Sequence, residues 1–218
     1  MGHLSRITDM IRTNQDLLQF IQQLPGIQQQ TFQPGQKLFR QDQKAHHLYF
    51  VRQGIAKCYI TEENSKDYIL EFFGEGEVIG ELELLTSAPI LSTVEAVTEL
   101  VAYKTDSSFF WQLLETNTAF NKIILKELAT RVRQLAIRVS YQQLYPLEYT
   151  LLKLLSLFSN HELPLSKKDL ADYLAISVRS LNRTLKQLRE KNFVHTGSFN
   201  LHITKPDLDK LLKRFDDE

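Results

Sequence analysis

The stretch LPLSKKDLADYLAISVRSLNRTLKQLREKNFVHTGSFNLHI, from Leu163 to Ile203, decides how the rest of the chain is read. Ser166 followed by Asp169 has the pattern of a helix N-cap with an acidic third position, and Leu170, Ala171 and Leu174 supply an apolar face. The chain turns at Ala175-Ile176. Ser177 then caps a second helix running through Lys191, with Leu181, Leu185 and Leu188 spaced 4 and 3 apart on one face. Its other face presents Val178, Arg179, Asn182, Arg183 and Lys186. Two short helices joined by a tight turn, the second amphipathic with basic residues outward, meet the physical requirements of a helix-turn-helix. Phe193-Val194-His195 and Leu201-His202-Ile203, joined through Gly197, read as a β-hairpin wing.

The residue types suit a DNA duplex. Arg forks bidentately onto guanine, Asn onto adenine, and Lys neutralises phosphate. The expected DNA contacts are therefore Ser166, Lys167, Ser177, Val178, Arg179, Ser180, Asn182, Arg183 and Lys186. Charge supports this reading. The 218-residue chain has a formal net charge of zero, but residues 1–116 hold 9 Lys/Arg against 15 Asp/Glu, a net −6, and residues 117–218 hold 17 against 11, a net +6. A basic C-terminal part behind an acidic N-terminal one calls for an anionic partner.

Upstream, Tyr145-Pro146 interrupts a helical pattern, since proline disfavours helical geometry in the residue before it and suits the first turn of a new helix. Leu147 to Phe158 reads as that new helix, stopped by Asn160-His161 and Leu163-Pro164. Before the break, Thr118 to Leu144 reads as one long helix whose Leu125, Leu128, Val132, Leu135 and Val139 form an a/d seam. Phe120, Ile123, Ile124 and Ile137 are apolar off that stripe. A helix with apolar residues on two sides serves its own domain and a partner helix, so the seam is the expected dimer interface. Ser107 to Glu115 is a shorter helix.

From about Gln28 to Lys104 the chain reads as short strands between turns: Leu48 to Val51, Ile55 to Ile60, Tyr68 to Phe73, Leu91 to Val97 and Leu100 to Tyr103. Phe32-Gln33-Pro34-Gly35, Gly54 and Gly74-Glu75-Gly76 supply turns. Such spacing points to a sandwich or jelly-roll barrel. The fold class expected is α+β: an N-terminal β-roll, a long helix and a C-terminal winged helix-turn-helix. The domain limits expected are 1–116, 117–145 and 146–218.

Composition excludes several functions. Cys58 is the only cysteine, so a disulfide framework, a thiolate zinc site and a cysteine-held iron–sulfur cluster within one chain are out of reach. No apolar stretch approaches the roughly 20 residues that span a bilayer. Asp9 and Asp16 near the start, without an apolar core, argue against export, and a cytoplasmic location is expected. The six histidines form no ligand set, and His46 and His47 point to opposite faces of an extended segment. No catalytic residue, metal or cofactor is expected.

The whole pattern resembles the cyclic-AMP receptor protein/FNR (Crp-Fnr) family of bacterial transcription regulators. The resemblance rests on Phe73-Gly74-Glu75-Gly76-Glu77-Val78-Ile79-Gly80-Glu81-Leu82-Glu83-Leu84-Leu85, similar to the family's glycine-turn and Gly-Glu-Leu cassette, and on Ala175 to Leu185, similar to its recognition helix. The C-terminal half is similar to the YeiL-like branch. The resemblance implies a cyclic-nucleotide-binding-like β-roll, a homodimer on an inverted-repeat DNA site, and RNA polymerase as a further partner. It also implies an effector pocket at Gly80, Glu81, Leu82, Leu91, Ser92, Leu135 and Ala136.

Two departures bear on the effector. Leu91 stands where nucleotide-responsive members place the Arg that pairs with the cyclic phosphate. Leu135 and Ala136 stand where hydroxyls face the base. Glu81 does match the ribose-contacting Glu, and the same motif serves as a structural turn in members that bind no nucleotide. The expectation is a DNA-binding regulator whose effector is not cyclic AMP. A true cyclic-nucleotide-responsive activator and a small-molecule enzyme built on the β-roll are the alternatives.

Overall fold

A computed structural model describes residues 14–24, 27–156, 165–195, 199, 201–202 and 204–215. The chain forms two compact units, and the division falls inside one long helix, between Arg131 and Val132.

The first unit is a β-roll with helices against one of its sheets. Strands β1 (Gln28–Phe32), β8 (Leu100–Asp106), β3 (His47–Gln53) and β6 (Val78–Ile79) form one antiparallel sheet in that order. Strands β2 (Lys37–Phe39), β7 (Thr93–Ala96), β4 (Ala56–Thr61) and β5 (Asp67–Phe73) form the other. Strand β3 shows why the apolar run Leu48 to Val51 lacks the alternation of a half-exposed strand. Tyr49 and Val51 enter the core between the sheets with Cys58, Phe73, Val94 and Ala102. Leu48 and Phe50 point the other way, against Leu17 and Ile21 of α1 (Gln15–Gln22), Phe110 of α3 (Ser107–Thr116), and Phe120 and Ile124 of α4 (Thr118–Leu144). A strand covered on both faces reads as a continuous apolar run.

Three short strands, β1, β2 and β6, and the helices α1 and α2 (Glu81–Thr86) were not singled out by sequence pattern. The strand expected from Leu91 to Val97 is shorter, Thr93–Ala96. Its first residues are diverted because the Ile90 amide donates to the Gln43 carbonyl at 2.7 Å and the Leu91 amide to a Glu83 carboxyl oxygen at 3.0 Å, leaving no ladder there. Gly80 precedes α2 with φ +98°, and a Cβ there would meet the Phe39 ring at 3.0 Å, so both conformation and space require glycine.

The second unit holds the C-terminal part of α4 with α5 (Leu147–Ser156), α6 (Lys167–Tyr173), α7 (Val178–Glu190) and α8 (Lys205–Arg214). Its core is Tyr149, Leu151, Leu152, Leu155, Leu170, Leu181, Leu185, Leu188, Leu208 and Leu212, all buried. Buried Arg138 of α4 stacks 3.6 Å from the Tyr173 ring centroid and donates to the Tyr173 carbonyl, which also accepts from Gln142 Nε2 at 3.1 Å. Residues 157–158, Asn160-His161 and Leu163-Pro164, read above as the end of α5 and its stop, lie outside the described residues. Among the described residues no helix is long and apolar enough to cross a membrane.

Candidate nucleic-acid interface and effector cassette

Helix α6 begins with a capping box. The Ser166 hydroxyl oxygen accepts from the Asp169 amide at 3.1 Å while an Asp169 carboxyl oxygen accepts from the Ser166 amide at 2.9 Å. Two otherwise orphaned donors are thereby satisfied. The turn closes through Ala175, which is left-handed at φ +56°. Helix α7 then starts at Ser177, whose hydroxyl oxygen accepts from the Ser180 amide at 3.1 Å. Leu181, Leu185 and Leu188 are fully buried, which fixes the rotation of the helix. Arg179, Asn182, Arg183 and Lys186 are consequently exposed, at the i, i+3, i+4, i+7 spacing of one helical face.

Lys186 lies 3.8 Å from Glu190 across one turn, a weak exposed pair. Val178 and Lys167 are exposed as well. Of the serines read above as DNA contacts, Ser166 and Ser177 use their side-chain oxygens as caps, with the Ser166 hydroxyl also donating to Asp169 at 2.6 Å, and the Ser180 hydroxyl lies 3.0 Å from that of Ser177. Beyond α7, Val194 and Leu201 form a bridge, and the His202 amide donates to the Phe193 carbonyl at 2.9 Å. Gly197 and Ile203 of the expected wing lie outside the described residues. Arg189 escaped the sequence reading. Its Nε donates to the His195 carbonyl at 3.2 Å and ties α7 to the wing.

On α4, Leu125 is 64% exposed and Val132 68%, and Leu135 and Val139 are exposed too. Leu128 is half-buried and packs partly against the helical layer of the β-roll. Phe120 and Ile124 are buried in that layer.

The cassette is charged and closed. Glu81 is 1% exposed and accepts from Arg131 Nη1, while Arg131 Nη2 donates to the Val78 carbonyl at 2.5 Å. Arg131 Nε sits 3.4 Å from Glu127 and 3.7 Å from Glu71, and the guanidinium lies 4.9 Å from the Phe73 ring centroid. Burial pushes the Glu81 carboxyl up to about 7, against the pull of Arg131. Burial alone would lower Arg131, but Glu81, Glu71, Glu77 and Glu127 outweigh it and hold the guanidinium above its ordinary value.

Leu82 and Leu91 are exposed, and Leu135 and Ala136 are exposed on the part of α4 belonging to the second unit. Ser92 is buried, its hydroxyl 2.9 Å from Cys58 Sγ. Burial raises the Cys58 thiol far above its ordinary value, which leaves it inert. Arg131 and Glu83 were not recognised in the sequence. Glu81 and Arg131 are fifty positions apart, a separation that carries no local signal.

His46 is exposed, and His47 is half-buried, stacked on Phe39 at 5.2 Å. Among the described residues no three His, Cys, Asp or Glu side chains are grouped to hold a metal ion.

Residues 29–117 match the family described as the cyclic nucleotide-binding domain, and residues 148–214 match the Crp-like helix-turn-helix domain. The chain is 26% identical over 179 residues to the HTH-type transcriptional regulator Cmr of Mycobacterium tuberculosis, covering 82% of this chain and 73% of that protein. It is 25% identical over 161 residues to the regulatory protein YeiL of Escherichia coli O157:H7, covering 73% of this chain and 71% of that one. A CooA double mutant from Carboxydothermus hydrogenoformans has the same fold, with a TM-score of 0.76 at 14% identity over 94% of this chain and 100% of the other.

Proposed function

The chain belongs to the Crp-Fnr family of transcription regulators, and from that premise we propose that it is a homodimer that reads an inverted-repeat DNA site without answering to cyclic AMP. DNA binding and dimer formation go with the family. The finer reading rests on one observation: α7 turns Arg179, Asn182, Arg183 and Lys186 outward, and no side chain among the described residues pairs with the first three. Arg183 reads guanine and Asn182 adenine; Arg179, a donor fork where the FNR branch carries an acidic residue, takes guanine as well. Ser166, Ser177 and Ser180 act by holding the two helices, with Lys167 and Lys186 on phosphates.

The exposed Leu125, Val132, Leu135 and Val139 stripe carries the dimer, with Leu128 at its edge. Two-fold symmetry then sets the half-sites about one DNA turn, roughly 34 Å, apart. The organisation is a β-roll over 1–116, a dimerisation helix over 117–145 and a DNA-binding domain over 146–218. Selection of bound DNA from a random pool tests both parts. Recovery of an inverted repeat with a guanine in each half-site is expected, and recovery of single half-sites or of unrelated sequences refutes the reading.

Glu81 and the match of residues 29–117 to the cyclic nucleotide-binding domain favour a cyclic-nucleotide-responsive regulator. The Glu81 carboxyl is engaged by Arg131 and Leu91 offers no cation, so a cyclic phosphate entering the cassette would be desolvated without its charge partner. Calorimetry decides this: no cyclic AMP binding at or below about 10 μM is expected. The family is one of transcription regulators, and no observation favours the enzyme alternative.

A further inference from the structure

We propose that Glu83 supplies, from within the chain, the anion that a cyclic phosphate would otherwise bring to the cassette, so that the loop is held closed without an effector and cyclic nucleotides are excluded. This rests on the family membership and on the reading that the protein does not answer to cyclic AMP. Glu83 is the third residue of α2 and is 8% exposed. Its Oε1 accepts from the Leu91 amide at 3.0 Å, across the loop that follows the helix. Leu91 is the position where a cyclic-nucleotide-responsive chain would carry the phosphate's cation.

The loop between them is pinned at several points. The Ala88 amide donates to the Glu83 carbonyl at 3.2 Å, Ser87 turns the chain with φ +55°, and the Ile90 amide and carbonyl pair with Gln43 and Asp42 at 2.7 and 2.8 Å. These bonds present the Leu91 amide to the Glu83 carboxyl oxygen in a fixed position. The neighbouring Ser92 hydroxyl is buried 2.9 Å from Cys58 Sγ, a contact in which either group can donate. The Leu91 amide that an incoming anion would need is thus already donated to Glu83, and the Ser92 hydroxyl is turned into the core against Cys58. A phosphate entering the loop would compete with Glu83 for the same amide and lie against its like charge, which disfavours its binding.

Removing the internal anion and restoring the missing cation should therefore open the cassette together but not separately. With Leu91→Arg alone, the introduced guanidinium pairs with Glu83 and the site stays filled. With Leu91→Arg and Glu83→Ala together, the amide and the cation both face an empty position.

The test is calorimetric titration of cyclic AMP into the full-length wild type, L91R and L91R/E83A, each checked for a cooperative thermal transition. The expected result is no binding by the wild type, and binding by L91R/E83A at least about tenfold tighter than by L91R. If L91R/E83A does not fold, L91R/E83Q removes the charge while keeping the shape, and it too must bind more tightly than L91R. Equal affinity of the single and double variants, or a folded double variant without binding, overturns the role given to Glu83. Binding by the wild type itself refutes instead the reading that the protein is unresponsive to cyclic AMP.

Discussion

Helices α7 and α2 both follow a sharp turn and carry charged residues, yet α7 and the glycine cassette around α2 use charge in opposite ways. On α7 the cations stand in water. Among the described residues no side chain pairs with Arg179 or Arg183, and the rotation of their helix is set by Leu181, Leu185 and Leu188 in the core. Such charges add little to stability and are available to a partner. In the cassette, Glu81, Glu83 and Arg131 are enclosed and bound to one another or to the backbone. A buried ion deprived of its partner is costly, so charges of that kind are committed to the fold. The comparison separates two roles that composition alone leaves mixed.

The largest expected effect comes from breaking the buried side. Arg131→Ala leaves Glu81 enclosed without its cation, and a loss of about 3–5 kcal/mol is expected by chemical denaturation, as for other severed buried pairs. A loss under about 1 kcal/mol would mean that Arg131 behaves like a surface charge, and the contrast with α7 would fail.

The same pair predicts a pH dependence. Because burial raises the folded carboxyl of Glu81 to about 7 from its ordinary 4.5, the folded state holds a proton that the unfolded chain has released. Stability from this group is full below the ordinary carboxyl value and falls as pH rises through about 7, by on the order of 2–3 kcal/mol. Glu81→Gln should flatten that decline. Denaturation midpoints measured from pH 4 to 8 check it, and an unchanged slope in the variant rules it out.

On the exposed side the readouts reverse. Arg183→Ala should leave stability within about 0.5 kcal/mol of wild type while costing about 1–3 kcal/mol of DNA affinity and flattening preference at one base pair per half-site. Competition binding against single-base variants measures this. A uniform loss with the preference intact and a shallower salt dependence would make Arg183 a phosphate anchor.

The smallest effect sharpens the contrast from inside α7. Ser177→Ala removes the cap on the Ser180 amide and should cost about 1 kcal/mol of stability. Ser177→Gly should cost only a few tenths, because glycine leaves the amide open to water. A large change in base preference at unchanged stability would mark Ser177 as a reader of DNA rather than a cap.

The parts legible in the sequence are those whose causes lie within a few residues of one another. A cap acts on residues within three positions, so Ser166 with Asp169, and Ser177 as the cap before an amphipathic run, announced α6 and α7. Apolar spacing along one helix gave α4 its extent, and Tyr145-Pro146 its end, because proline acts on its immediate neighbours. Tertiary contact decided the rest. Strands as short as Val78–Ile79 carry too few residues for a periodic pattern, and they exist because β3 lies beside them. Leu91 and Ser92 read as strand from their composition, but Glu83 and Cys58 hold them in a loop, with Gln43 fixing Ile90 just before them. Glu81 meets Arg131 only after the chain has crossed both sheets and returned as α4, and the cost of burying either charge alone is what makes that meeting binding.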